Sequence, residues 1–264
     1  MKQKLTIVKV GGAVVEDEAQ LSQLLADFAA ISGPKVLVHG GGRKATKVAA
    51  QLGIETQMVE GRRITDAAML DVVTMVYGGL VNKTIVARLQ AIGISAIGLT
   101  GADAGIISSV KRPPVVMKSS PTPVDFGFVG DVKSVAADTL GRLIGAGLTP
   151  VIAPLTHDGQ GHLLNTNADT MASETAKGLA ALYDVTLIFA FEKPGVLLNA
   201  DDDASVIPVI SHQDFLAYRA DGTISGGMLP KIENALAAVS AGVDRVVITR
   251  ADAIDGTHGT TIIA

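Results

Sequence analysis

Six short apolar runs punctuate the chain: LTIVKV (5–10), KVLVH (35–39), SAIGLT (95–100), TPVIAPL (149–155), VTLIFAF (185–191) and RVVIT (245–249). Their β-branched residues and short length mark them as strands buried on both faces. Longer stretches with apolar residues at helical spacing lie between most of them, such as AQLSQLLADFAAI and PKIENALAAVSAG. This alternation predicts an α/β protein whose central sheet is mostly parallel and covered by helices on both faces. DAAMLDVVTMVYGGL (66–80) reads as an apolar helix, suited equally to the core of one chain and to a face between two. The segment 106–133 breaks the rhythm with four prolines and short alternating strands. It reads as hairpins beside or over the main sheet, either a surface excursion or a flap over a ligand, with 113–129 as the closing part.

A second irregularity is LLNTNADT (163–170), where a short strand gives way to the helix ADTMASETAKGLAAL. In extended chain Asn165, Asn167 and Asp169 share one face. Short polar side chains there fit an extended helix cap or a site, and this stretch by itself allows both.

Composition narrows the class. At 264 residues the chain has room for one large or two modest domains, and a single two-lobed chain with a soft boundary near 155–185 is expected. With no Trp and few aromatics, the core must be built from Ala, Val, Ile and Leu. A net charge of −4 without a basic run argues against nucleic acid as a partner. The absence of cysteine excludes disulfides and thiolate chemistry and fits a reducing compartment. The five histidines lack metal-ligand spacing, so no metal site is expected. The apolar start is too short for a secretory signal, and no uncharged apolar run reaches the ~18 residues a membrane span needs. A cytoplasmic location is expected.

Glycine clusters follow predicted strands in VKVGGA, LVHGGGR and GLTGAD. In a parallel sheet the strand C-terminal ends gather at one edge, where glycines and helix N-termini present backbone N–H groups to an anion. Several such turns on one edge point to phosphate. Neither common phosphate motif is present: in YGGLVNKT (77–84), Tyr77 and Asn82 stand where a Walker A loop needs glycine, and GxGxxG is missing. Lys9 lies in an apolar strand just before the glycines, so it either reaches solvent at the strand end or is paired and functional. Lys231 opens the helix KIENALAAVSAG, where a cation is disfavoured unless an anion is near. With Asp169 they suggest two cations placed by a carboxylate around a transferring phosphoryl group.

Together VKVGGA, LVHGGGR, EGRRIT, LLNTNAD and GGMLPK, in this order and spacing, resemble the amino acid kinase superfamily and, within it, the acetylglutamate kinase branch. The resemblance runs from about residue 5 to the C-terminal GTTIIA. It implies a three-layer sandwich around one open, mainly parallel sheet of about eight strands. It divides one domain into an acylglutamate-binding and dimerisation lobe (1–167) and an ATP-binding lobe (168–264). The implied reaction is phosphorylation of the γ-carboxylate of N-acetylglutamate by ATP with Mg2+, a step of arginine biosynthesis, without a tightly bound metal. Lys9 and Lys231 match the phosphoryl-stabilising lysines and Asp169 the carboxylate that orients them. Gly41, Gly42, Arg63 and Asn165 match substrate contacts. Gly11, Gly12, Glu192, Lys193, Gly195, Ser225, Gly227 and Met228 match positions toward the nucleotide.

Departures from the family pattern carry their own expectations. FEKPGVLLN (191–199) has Glu192 and Lys193 where many relatives have Asp and Ser before the glycine. The chain begins about four residues before its first strand, without the N-terminal helix of hexameric, arginine-inhibited relatives, so a homodimer without arginine feedback is expected. N-succinylglutamate is the alternative substrate, with Arg43, Lys44, Arg62, Lys111 or Arg112 as cations for its extra carboxylate. A further alternative is a non-catalytic nucleotide or amino-acid sensor on the same fold.

Overall fold

The computed structural model describes residues 2–226 and 228–263. An eight-stranded sheet runs in the order Val209–Ile210, Thr260–Ile262, Arg245–Arg250, Tyr183–Phe191, Gln3–Val10, Lys35–His39, Thr149–Ile152, Ala96–Leu99. All neighbours pair in parallel except Thr260–Ile262 against Arg245–Arg250. The mainly parallel, eight-stranded, three-layer expectation is met. The two strands missing from the pattern of apolar runs, Val209–Ile210 at one edge and Thr260–Ile262 next to it, have two and three residues, too short to show a period.

Strand alternation sorts side chains onto two cores. Along Gln3–Val10, Leu5 and Ile7 face the core under the helices Ala137–Gly145, Ala168–Leu179, His212–Ala220 and Met228–Ser240. Val8 and Val10 face the opposite core under Glu18–Ala30, Gly42–Gln51 and the long helix that starts at Ala67. By the same alternation Lys9 points toward the first core, and His39, in register with Val10, toward the second.

The long helix departs from its expected bounds. It runs from Ala67 to Ala91, past residue 80, because Thr74–Val81 continues as a π-helical stretch into Asn82–Ala91. Asp66 caps its start, accepting from Met69 N–H at 2.8 Å. Among the described residues it is the one helix long and apolar enough to cross a membrane. Its Met69, Val72, Val76 and Ile85 are buried in the protein core. The run 149–155 also divides: Pro154 lacks the N–H that a ladder needs, and the chain leaves the main sheet after Ile152 to enter a second sheet at Leu155–His157.

That second sheet orders Leu163–Asn165, Leu155–His157, Ile107–Lys111 and Gly130–Val135, so 106–133 does form a hairpin beside the main sheet. Its tip is an excursion with a small core of Met117, Phe126 and Val129, packed on Val59 and Ile64. Val59 lies in the hairpin Met58–Val59/Arg62–Arg63 and Ile64 directly follows it. Glu60 occupies the turn of that hairpin with φ +46, and its carboxylate accepts from Ser119 N–H at 2.8 Å, tying hairpin to excursion.

Candidate active site

The site lies at the C-terminal ends of the two central strands. Gly11 and Gly12 follow Gln3–Val10, and Gly40, Gly41 and Gly42 follow Lys35–His39. Gly40 N–H donates to Val10 O at 3.0 Å and Gly11 N–H to Ala190 O at 3.3 Å, which holds both turns at the sheet edge. A Cβ built on Gly12 would lie 3.6 Å from Gly41 N and 3.7 Å from Gly42 N. The two turns therefore face each other across a gap that any side chain on Gly12 would fill. Among the described residues the N–H groups of Gly12, Gly41 and Gly42 have no acceptor. Gly42–Gln51 starts without a side-chain cap or an acidic residue in its first turn. Orphan N–H groups at a helix N-terminus constitute an anion-binding arrangement.

The charged cluster sits beside them. Asp169 stands in the first turn of Ala168–Leu179. Its Oδ1 is 2.6 Å from Lys9 Nζ and its Oδ2 is 3.0 Å from Lys231 Nζ. One carboxylate thus bridges a lysine from the first strand and a lysine from the first turn of Met228–Ser240. Lys9 is 7% exposed, so it is paired within the fold and does not reach solvent. Burial lowers the Lys9 pKa, an effect Asp169 opposes and the neighbouring Lys231 reinforces. Burial by itself would raise the Asp169 pKa, but the two ammonium groups together hold it below the ordinary carboxylate value. Asp169 is therefore an anion at neutral pH. Lys231 Nζ also stands 5.8 Å from the centre of the Phe191 ring, a cation–π distance.

The junction LLNTNADT resolves into three different jobs. Asn165 ends its strand with the side chain buried, its Nδ2 donating to Thr65 Oγ1 at 3.0 Å. Asn167 is the helix N-cap, its Oδ1 accepting from Asp169 N–H at 2.8 Å and Thr170 N–H at 3.1 Å. Asp169 alone turns to the lysines. The cap reading holds for Asn167, while Asn165 and Asp169 are turned to other partners.

Arg63 closes the other side. Its Nη2 donates to Gly42 O and Thr46 Oγ1, each at 2.9 Å, and its Nη1 to Thr56 Oγ1 at 3.3 Å. The guanidinium thus abuts the glycine turn. Thr65, two residues on, links Arg63's segment to Asn165. Thr65 is fully buried, accepts Phe128 N–H and donates its own N–H to Phe126 O. A Cβ on Gly127 would overlap the Thr65 carbonyl.

The residues expected toward the nucleotide are less converged. Glu192 reaches Arg43, next to Gly42, at 3.5 Å. Lys193 turns to its own loop, donating to Ala200 O and pairing with Asp203 at 3.1 Å. Gly195 is required by packing, since a Cβ there would be 2.8 Å from Thr260 Oγ1 and from Val206. Ser225 O accepts from Met228 N–H at the start of the Lys231 helix. Gly227 lies outside the described residues.

Four residues at the site escaped the reading of the sequence: His39, Thr65, Tyr77 and Asn82. All are buried. Of the four, His39 carries a local signal, a polar group ending the apolar run KVLVH.

Residues 4–250 match the Amino acid kinase family. An acetylglutamate kinase of Bacteroides thetaiotaomicron is 64% identical over 99% of both chains. Another, of Cytophaga hutchinsonii, is 49% identical over 99% of both. Among solved structures, smu.665 from Streptococcus mutans UA159 superposes with a TM-score of 0.77 at 27% identity, covering 98% of each chain. Carbamate kinase from Giardia lamblia bound to AMP-PNP shares the fold at a TM-score of 0.69 and 15% identity, over 99% of this chain and 98% of that one. The chain belongs to the amino acid kinase family, in its acetylglutamate kinase branch.

Proposed function

We infer that the protein transfers the γ-phosphoryl group of ATP to the γ-carboxylate of N-acetyl-L-glutamate, a step of arginine biosynthesis. The observation that carries this reading is Asp169 bridging Lys9 and Lys231 beside two glycine turns whose N–H groups at Gly12, Gly41 and Gly42 have no acceptor among the described residues. The attacking carboxylate has an ordinary pKa of about 4.3 and is ionised at neutral pH, so no general base is needed. The difficulty is to bring an anion against a polyanion. Lys9, Lys231 and the N–H groups of Gly12, Gly41 and Gly42 neutralise and orient the transferring group, which is the main source of rate in phosphoryl transfer. Mg2+ enters as MgATP and screens the phosphates.

In this reading Arg63 and Asn165 hold the acyl amino acid in the lobe 1–167, and ATP lies on the lobe 168–264. Because the acyl phosphate hydrolyses readily, water must be excluded. The excursion 113–129, tied to the Arg63 hairpin through Glu60 and Ser119, is the closing element. The enzyme works in the cytoplasm as a homodimer, through the long-helix face that leaves Met75 and Leu80 half exposed.

The test is an ATP-dependent assay in which hydroxylamine traps the acyl phosphate, run with N-acetylglutamate, N-succinylglutamate, glutamate and aspartate. Hydroxamate from N-acetylglutamate is expected. Signal from N-succinylglutamate alone reassigns the acyl group, signal from free amino acids alone reassigns the branch, and silence with ATP bound points to a sensor.

A further inference from the structure

His39 is fully buried and faces away from the lysines, yet it sits directly before the glycine turn. Its Nδ1 is 2.8 Å from Gly40 O and its Nε2 is 3.2 Å from Asn82 Nδ2. The orientation of the Asn82 amide is set by two other partners. Nδ2 donates to Val151 O at 2.9 Å, and Oδ1 accepts from Lys83 Nζ at 3.2 Å. Lys83 also donates to Gly98 O at 3.0 Å. A Cβ on Gly98 would overlap Asn82 Oδ1, so the neighbouring strand keeps a position free of side chain to admit this amide.

The partners dictate the tautomer. Asn82 Nδ2 is a donor, so His39 Nε2 must accept, and the ring proton resides on Nδ1. Nδ1–H then donates to the Gly40 carbonyl. That carbonyl and the Gly41 N–H belong to one rigid peptide plane and point in opposite directions. Holding the oxygen aims the N–H, and Gly41 N borders the gap to Gly12.

We propose that His39 is a positioning residue for phosphoryl transfer: it locks the Gly40–Gly41 peptide so that Gly41 N–H points into the gap beside Gly12, with Asn82 and Lys83 fixing its tautomer. The proposal rests on the reading that this gap receives the transferring phosphoryl group. Burial lowers the His39 pKa to about 4, so the ring stays neutral and keeps this tautomer throughout the working range. A merely space-filling residue would gain from being apolar. A buried imidazole with both nitrogens matched instead fixes a direction.

The test compares two amides of similar polarity. His39→Asn keeps a donor at the Nδ1 position, whereas His39→Gln carries its amide out to the Nε2 position and releases Gly40. The expected result is that His39→Asn retains kcat within about threefold, while His39→Gln loses tenfold or more in kcat with little change in KM. A lost oxyanion donor costs ~10²–10³, and a misaimed one costs less. Equal kcat in both variants, or a Gln variant as fast as the parent, overturns the proposal. A parent without kinase activity would overturn the functional reading instead. Should neither variant fold, long-range 1H–15N correlation on the parent reads the tautomer directly. An Nδ1–H signal for His39 is expected, and an Nε2–H signal overturns the proposal.

Discussion

Asn167 caps the helix on which Asp169 stands, accepting the Asp169 N–H at 2.8 Å while the Asp169 carboxylate reaches past it to Lys9 and Lys231. The cap and the charged cluster are therefore one mechanical unit: the hydrogen bond that starts the helix also fixes the backbone from which the carboxylate projects. Replacing Asn167 by Ala removes the cap and is expected to cost about 1 kcal/mol of stability and to lower kcat as well. Asn167→Ser, which caps nearly as well, should restore both. Urea denaturation alongside the hydroxamate assay checks it, and a loss of stability with kcat untouched would separate cap from site.

Asp169→Asn keeps the shape of the side chain and removes the charge that holds two ammonium groups close together. Lys9, already lowered by burial, then loses its counter-charge. The expected outcome is a folded protein with kcat down by ~10²–10³, the cost typical of removing one transition-state stabiliser, and Lys9→Ala should do the same. Turnover near the parent's in either variant would remove these residues from the assigned roles. The pH dependence has a definite sign. The folded pKa of Asp169 is depressed, so its stabilising contribution is complete above the ordinary carboxylate value and disappears as pH falls through the lowered one.

How much of this was legible in the sequence follows from what a linear pattern can express. Lys9 and Lys231 stood out because each breaks a local rule, a cation in a buried strand and a cation at a helix start. Asp169 needed the lysines to be understood, since an acid near a helix N-terminus is ordinary. The six apolar runs located six strands of the main sheet, but Pro154 turned one of them into two sheets, and Val209–Ile210 and Thr260–Ile262 were too short to have a period. Asn82 and Tyr77 were read as part of a failed phosphate loop. Their work depends on a π-helical stretch and on close approach to His39 and Gly41, which are tertiary facts without a local signature. Gly195 was read as a nucleotide contact, and the structure also gives it a packing reason, closeness to Thr260 and Val206.

Gly41 is glycine because of Tyr77. A Cβ at position 41 would lie 2.9 and 3.1 Å from two carbons of the Tyr77 ring, and the ring is buried. Gly41→Ala is expected to destabilise the protein by about 1–3 kcal/mol, the usual range for overpacking, and to lower kcat by shifting the turn. Tyr77→Phe should not relieve it, since the contact is with ring carbons and not the hydroxyl. Tyr77→Leu should. A double-mutant cycle on urea midpoints measures the coupling, and additive effects would show that the turn yields elsewhere.

Burial of His39 couples the stability of the fold to pH. His39 has an ordinary pKa of 6.5 in the unfolded chain and about 4 in the fold, where burial disfavours the cation. Between those values the unfolded chain binds a proton that the folded chain refuses, so stability falls as pH falls from 6.5 toward 4 and this group adds no further loss below that. From pH 7 to pH 5 the contribution is about 2 kcal/mol, on the scale of 1.36 kcal/mol per pKa unit. His39→Asn removes the titrating group. Its unfolding free energy should therefore decline less than the parent's across that interval, by about the same 2 kcal/mol. Groups common to both proteins cancel in the difference. Parallel curves for parent and variant would mean that His39 takes up its proton without leaving the fold, and that Asn82 rotates to accept it.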